Sequence, residues 1–335
     1  MNYKNSCYVN GSYPLLLFLL MKAEKNLDDT FFFFGRGVPE NIAKNFKHSW
    51  HLNTYFKKKN KFTKYIEMYL LYRNLEKFLI KEELINKEIY MQDDVSYSQF
   101  FLNHIDKCYL LENGLANYDL KALEDIQKKA NKYKKNIKCF RDKILKRSKN
   151  FYTAFGLSSK ISKIYLTGLT KIPEIIVNKV EIIDIKEKWK NLSKEKQEQI
   201  LLLFNCKNLN TDILRDKILL ITQPISEDKI VTEEEKIEIY REITKNYSEE
   251  QIVIKRHPRE KTDYKNFFPN AYIIEEKFPL EVLMLLKIPF KEVVTLFSTA
   301  ALNFKGIINV NFWGTGEYFK LKKEYGIIKK VYYKI

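Results

Sequence analysis

Apolar residues along the chain recur in two rhythms. Short blocks such as Ser6–Val9, Thr30–Phe34 and Glu88–Met91 are apolar without interruption and predict buried strands. Between them, Pro14–Glu24, Glu40–Phe46 and Thr63–Lys81 carry the wider spacing of helices. Strands that alternate with helices predict a parallel sheet covered on both faces. Cys108–Leu115 is a further strand ending in Glu112-Asn113-Gly114, and Lys163–Leu166 and Val180–Ile185 continue the series. Lys186–Phe204, free of Pro and Gly, predicts one long connecting helix.

A second series begins at Lys217. Lys217–Thr222, Gln251–Arg256, Ala271–Ile274 and Lys291–Leu296 predict strands, and Thr232–Lys245, Pro279–Leu286 and Ser298–Phe304 predict helices. Thr232 followed by Glu235 has the spacing of a capping box. Two such α/β halves in 335 residues suggest two domains, 1–190 and 191–315, with a tail over 316–335. That tail, rich in Lys, Tyr and Ile, packs either on the first domain or on another chain, which leaves room for a homodimer.

Hydrophobic residues make up 45% of the chain, enough for sizeable cores, and the formal charge of +17 favours an anionic partner. Tyr13–Met21 is strongly apolar but about half of the roughly 20 residues a bilayer needs, so it predicts a buried helix in a cytoplasmic protein. Cys7, Cys108, Cys139 and Cys206 show no metal-ligand spacing and read as reduced thiols. Lys121–Lys149 is a basic helical run, either a solvated face or a surface for anionic lipid head groups. Nucleic-acid binding ranks below these, because Phe and Tyr form no stacking platform there.

Chemistry concentrates at the strand ends of the second half. Gln251–Glu260, QIVIKRHPRE, places Lys255, Arg256, His257 and Arg259 where Pro258 ends a strand. In an open α/β sheet that edge is where ligands bind, and these side chains suit an anion. A basic strand end facing water is the competing reading. Glu281 lies in the first turn of a helix, where a carboxylate could take both hydroxyls of a ribose or complement the helix dipole. Ser298 and Thr299 open a helix after a strand, an arrangement that serves a phosphate or a plain cap. Asp228, in the loop after Lys217–Thr222, would border the same edge or be an ordinary turn residue, and Glu112, at a strand end of the first half, is placed to meet a substrate hydroxyl or is a plain surface turn. Asp93-Asp94 raises a metal-bound nucleotide sugar, but the basic strand ends argue for phosphate neutralised by protein, with no metal or other cofactor.

The segments LLITQPISEDK, IVIKRHPREKTDY, FPLEVL and TLFSTAALNF, in this order, resemble the bacterial lipooligosaccharide sialyltransferases of glycosyltransferase family 52. The resemblance is strong over Ile218–Asn303 and weak in the first half, through YMQDD and LLENGLANY. It implies a GT-B architecture, two facing Rossmann-like domains with a cleft between them. It also implies an inverting, metal-independent transfer from CMP-sialic acid to a galactose-terminated lipooligosaccharide or capsular glycan, and the basic charge then suggests docking at the inner face of the cytoplasmic membrane. His257 then matches the histidine at the donor phosphate, Lys255 the nucleotide contact, Glu281 the ribose ligand, and Ser298 and Thr299 the phosphate-binding pair. For the base the resemblance offers Glu112, whose acidic-acidic-Gly motif has Asn113 at its second position, and Asp228. A transferase with another nucleotide-sugar donor and a nucleic-acid-binding protein are the alternatives.

Overall fold

The computed structural model describes residues 3–23, 25–52, 61–93, 97–135, 154–207 and 209–335. The chain divides into two compact units, Met1–Leu203 and Phe204–Ile335.

Among the described residues the first unit is built on seven strands: β1 (Asn5–Val9), β2 (Thr30–Phe34), β3 (Ser49–His51), β4 (Glu88–Met91), β5 (Lys107–Leu111), β6 (Ile161–Leu166) and β7 (Val180–Ile182). All are parallel, in the order β3-β2-β1-β4-β5-β6-β7. Burial on both faces explains the uninterrupted apolar blocks. In β2, Phe31 and Phe33 pack on one side against Phe78, while Phe32 and Phe34 pack on the other against Phe46. The apolar segment near the N-terminus is the helix Ser12–Lys22, and its residues Leu15–Leu20 are all buried. It is a core helix, and no helix among the described residues is long and apolar enough to cross a membrane.

The second unit has β8 (Ile218–Ile221), β9 (Ile252–Lys255), β10 (Tyr272–Ile274), β11 (Glu292–Thr295), β12 (Asn309–Phe312) and β13 (Val331–Tyr333). Their order is β10-β9-β8-β11-β12-β13, parallel except for the last pair. Thr232 and Glu235 form the expected capping box, with Thr232 N–H donating to Glu235 Oε2 (2.8 Å) and Glu235 N–H to Thr232 Oγ1 (3.2 Å).

Several elements differ from the sequence expectation. The single helix expected over Lys186–Phe204 is two, Ile185–Asn191 and Lys194–Leu203, because the Ser193 hydroxyl accepts the Lys196 N–H and starts a new helix. The helix expected over Ser298–Phe304 is a 3₁₀ segment, Thr299–Phe304. The pattern also did not single out β3, β12 and β13: two-residue alternation in β12, with Val310 and Phe312 buried, is its only sequence signal, and β13 pairs with β12, so the expected tail belongs to the second unit and packs neither on the first nor as a separate tail. Cys7, Cys108 and Cys206 are free and buried; Cys139 and the basic residues beyond Lys135 up to Lys149 lie outside the described residues.

Candidate active site

In the second unit β9 and β10 lie on one side of β8, and β11 and β12 on the other. The chain therefore reverses its direction of growth between β8 and β11, which opens a crevice at the carboxyl ends of these strands. Lys255 ends β9 and His257 follows it, Asp228 lies in the loop after β8, and Ser298 follows β11. The expected residues of this half thus meet at one sheet edge.

Lys255 is only 4% exposed. Its Nζ donates to the Glu276 carbonyl (3.1 Å) and lies 4.5 Å from the centre of the Phe278 ring. Burial pulls the ammonium down to about 8, opposed by the charges of Glu276 and Glu281. It is an under-paired cation, suited to an incoming anion. Glu281, also buried, opens the helix Glu281–Leu285 and accepts from Asn303 Nδ2 (3.0 Å).

His257 sits in a tight turn in which the Glu260 N–H donates to the His257 carbonyl (3.0 Å). The Arg259 N–H donates to His257 Nδ1 (3.2 Å), so the ring proton resides on Nε2. Burial pulls the imidazole down to about 4, with Arg259 and Lys255 adding to the effect and Asp228 and Glu227 opposing it. The ring is neutral at pH 7, and an adjoining phosphate would raise its proton affinity. Asp228 accepts from both terminal nitrogens of Arg259 (2.6 and 3.1 Å) and remains 30% exposed.

Ser298 is placed by its backbone: its N–H donates to Thr295 Oγ1 (3.2 Å), and Thr295 in turn donates to the Ile221 carbonyl on β8 (3.0 Å). The preceding N–H, of Phe297, donates to Gln223 Oε1 (3.2 Å), so the loops after β8 and β11 are tied together. The Ser298 side chain caps no N–H of the 3₁₀ segment.

Sequence reasoning missed the support beneath these residues. Glu260 is fully buried and accepts from the His257 N–H (2.6 Å), Thr222 Oγ1 (2.6 Å), Tyr264 OH (2.7 Å) and Lys236 Nζ (2.7 Å). Lys236, fully buried too, also donates to Glu227 Oε2 (3.0 Å) and Thr262 Oγ1 (2.7 Å). Glu227 accepts the Lys261 N–H (2.6 Å), and these bonds hold its carboxyl down to about 2 against the opposing effect of burial. The legible signal was Lys236 itself, a charged residue in the same helical stripe as buried Tyr240 and Ile243.

In the first unit the order reverses between β1 and β4, and the loops at that edge carry two buried carboxylates, Glu112 and Asp93, met by neutral donors. Glu112, fully buried, accepts at Oε1 from Tyr13 OH (2.6 Å) and Thr167 Oγ1 (3.0 Å), and at Oε2 from Tyr118 OH and the Thr167 N–H (both 2.6 Å). Gln92 Oε1 accepts the Asn10 N–H (2.8 Å), and its Nε2 donates to Asn113 Oδ1 (2.6 Å). Gly35 and Gly37 pack so closely on Asn10 that a Cβ on Gly37 would lie 2.0 Å from the Asn10 carbonyl oxygen. Asp93 is buried and accepts from Ser98 Oγ (3.0 Å), while Asp94 lies outside the described residues. Among the described residues no group of three or more His, Cys, Asp or Glu is placed to hold a metal.

The family model of glycosyltransferase family 52 matches residues 30–313. The chain belongs to glycosyltransferase family 52. A Haemophilus influenzae protein, itself uncharacterized, is 35% identical to this transferase over 329 residues, 96% of this chain and 97% of its own. The α/β-galactoside α-2,3-sialyltransferase of Photobacterium phosphoreum has a similar fold, with TM-score 0.59 and 12% identity over 96% of this chain and 95% of its own. The GT-B domain of a Photobacterium damselae sialyltransferase matches with TM-score 0.53 and 12% identity over 89% and 87%. The fold of this family 52 chain is accordingly α/β of the GT-B type, and it is a glycosyltransferase.

Proposed function

We propose that this family 52 enzyme transfers sialic acid from CMP-sialic acid, with inversion and without a metal, to a terminal galactose or similar sugar of a lipooligosaccharide or capsular glycan. The observation that carries the reading is the pairing, at one sheet edge, of the buried, under-paired Lys255 with a neutral His257 whose Nε2 carries the proton. A sugar monophosphate leaving group gains one negative charge as its glycosidic bond breaks. Donors held in a dry edge are worth more to that charge than to the ground state.

In this reading Lys255 neutralises the phosphate, Glu281 holds the ribose, and Ser298 and Thr299 bind phosphate oxygens. His257 Nε2–H donates to the departing phosphate, and its proton affinity rises as charge builds beside it. The base is Asp228, favoured by its partial exposure and its position one strand from His257. Glu112 is the second candidate; both its oxygens accept hydrogen bonds, so taking a proton from a sugar would displace one of them. The basic surface suits docking on an anionic membrane face, and liposome co-sedimentation with and without anionic lipid tests this.

The deciding experiment measures CMP release from CMP-N-acetylneuraminic acid with and without lactose. Acceptor-dependent release by wild type, reduced by about 10²-fold or more in His257→Ala, supports the reading. A protein that turns over neither way, and whose melting temperature rises with UDP or GDP but not CMP, uses another donor.

A further inference from the structure

The cluster Glu227–Lys236–Glu260 gathers a buried and a partly buried carboxylate around one buried ammonium, and stability is a poor reason to keep it. Replacing a buried ion cluster with apolar side chains of similar volume is often neutral or favourable. What apolar side chains could not do is accept backbone hydrogen bonds. Glu260 takes the N–H of His257 and Glu227 takes that of Lys261, so the cluster grips both ends of the turn that carries the imidazole. Lys236 spends its donors on Glu260, Glu227 and Thr262, which locks both carboxylates in place. The turn so held delivers the Arg259 N–H to His257 Nδ1, and the Arg259 side chain to Asp228.

We propose that Glu260, locked by Lys236, is the positioning residue of the site: by holding the turn His257–Glu260 it keeps the ring proton of His257 on Nε2. A ring in the other tautomer would present a lone pair, not a donor, at Nε2, and could not hydrogen-bond to a phosphate oxygen through it. This rests on the proposed transferase reading for its catalytic consequence, but not for its structural one.

The test has two arms. Long-range ¹⁵N–¹H correlation spectra of the full chain, with the His257 signals assigned by their loss in His257→Ala, report the tautomer directly. Wild type shows Nε2–H, and Glu260→Gln shifts His257 toward a mixture with Nδ1–H. Kinetically, Glu260→Gln lowers kcat by about tenfold or more with KM for the donor changed less than about threefold, and it has no further effect in a His257→Ala background. Thr222→Val, which removes a single neutral donor to Glu260, moves both readouts the same way by less; it decides the matter if Glu260→Gln does not fold. The proposal is overturned if a folded variant keeps the wild-type tautomer, or if Glu260→Gln loses the same factor with and without His257. If wild type transfers nothing from CMP-sialic acid, the functional reading fails while the spectra still decide the role of Glu260.

Discussion

The two units repeat one topology and spend it on different chemistry. Each has a sheet, parallel but for the last pair of the second, whose order reverses beside its first strand, and each buries a carboxylate at the carboxyl edge. In the first unit Glu112 is satisfied by hydroxyls and a backbone amide alone. In the second, Glu260 is satisfied by an ammonium, two hydroxyls and an amide, in an edge crowded with Lys255, His257, Arg259 and Asp228. Neutral donors and acceptors match the hydroxyls of a sugar, whereas cations and a histidine match a phosphate. The same scaffold thus carries two edges of different chemistry, which the proposed function would use for acceptor and donor.

The contrast is sharpest at Lys236. Replacing it with Met leaves Glu260 buried, and Glu227 partly buried, without their cation, and urea denaturation should show a loss of about 3–5 kcal/mol. A loss under about 1 kcal/mol would mean that the cluster is not the electrostatic centre of the second edge. Glu112→Ala should destabilise less, by about 2–3 kcal/mol, because it strands only neutral donors on Tyr13, Tyr118 and Thr167. If it matches the loss at Lys236, the two edges do not differ as their charges suggest.

Lys255 should behave in the opposite sense. Its ammonium is held at about 8, below its ordinary value, so burying it charged opposes folding at neutral pH. Lys255→Met should therefore raise stability by about 1–2 kcal/mol, while CMP no longer raises the melting temperature. Stabilisation without loss of the CMP effect would remove Lys255 from the donor site.

His257 predicts the smallest effect. Its folded value of about 4 lies below the unfolded one, so the unfolded chain takes up the proton first. Stability due to this group is complete above about pH 6.5 and is lost as the pH falls toward 4, on the order of 1 kcal/mol by pH 5. Glu227, held down to about 2, adds its loss at still lower pH. Comparing wild type with His257→Gln between pH 7 and 5 isolates the histidine, and parallel curves would mean that the ring is not buried neutral.

The apolar blocks were enough to read most strands of both sheets and most of the longer helices, because strands buried on both faces leave a local signature. β3 and β13 escaped because edge strands carry a weak pattern and are recognised by what they pair with, and β12, an inner strand between β11 and β13, escaped because polar Asn309 and Asn311 interrupt its apolar positions. The strand-end residues were legible for the same reason as the strands: Lys255, His257, Asp228 and Ser298 are placed by where strands stop. Glu260 was not, although it stands three residues after His257 in the same quoted stretch. A glutamate there reads as a surface charge until Lys236, Thr222 and Tyr264 are seen to close on it.

By itself the sequence determined the periodicities, the parallel α/β class and the types of side chain at each strand end, since these follow from local spacing. Only the tertiary structure decided the charge and tautomer of those side chains. Burial and partners far along the chain set both, making a lysine reluctant to carry its charge and a histidine neutral with its proton on Nε2.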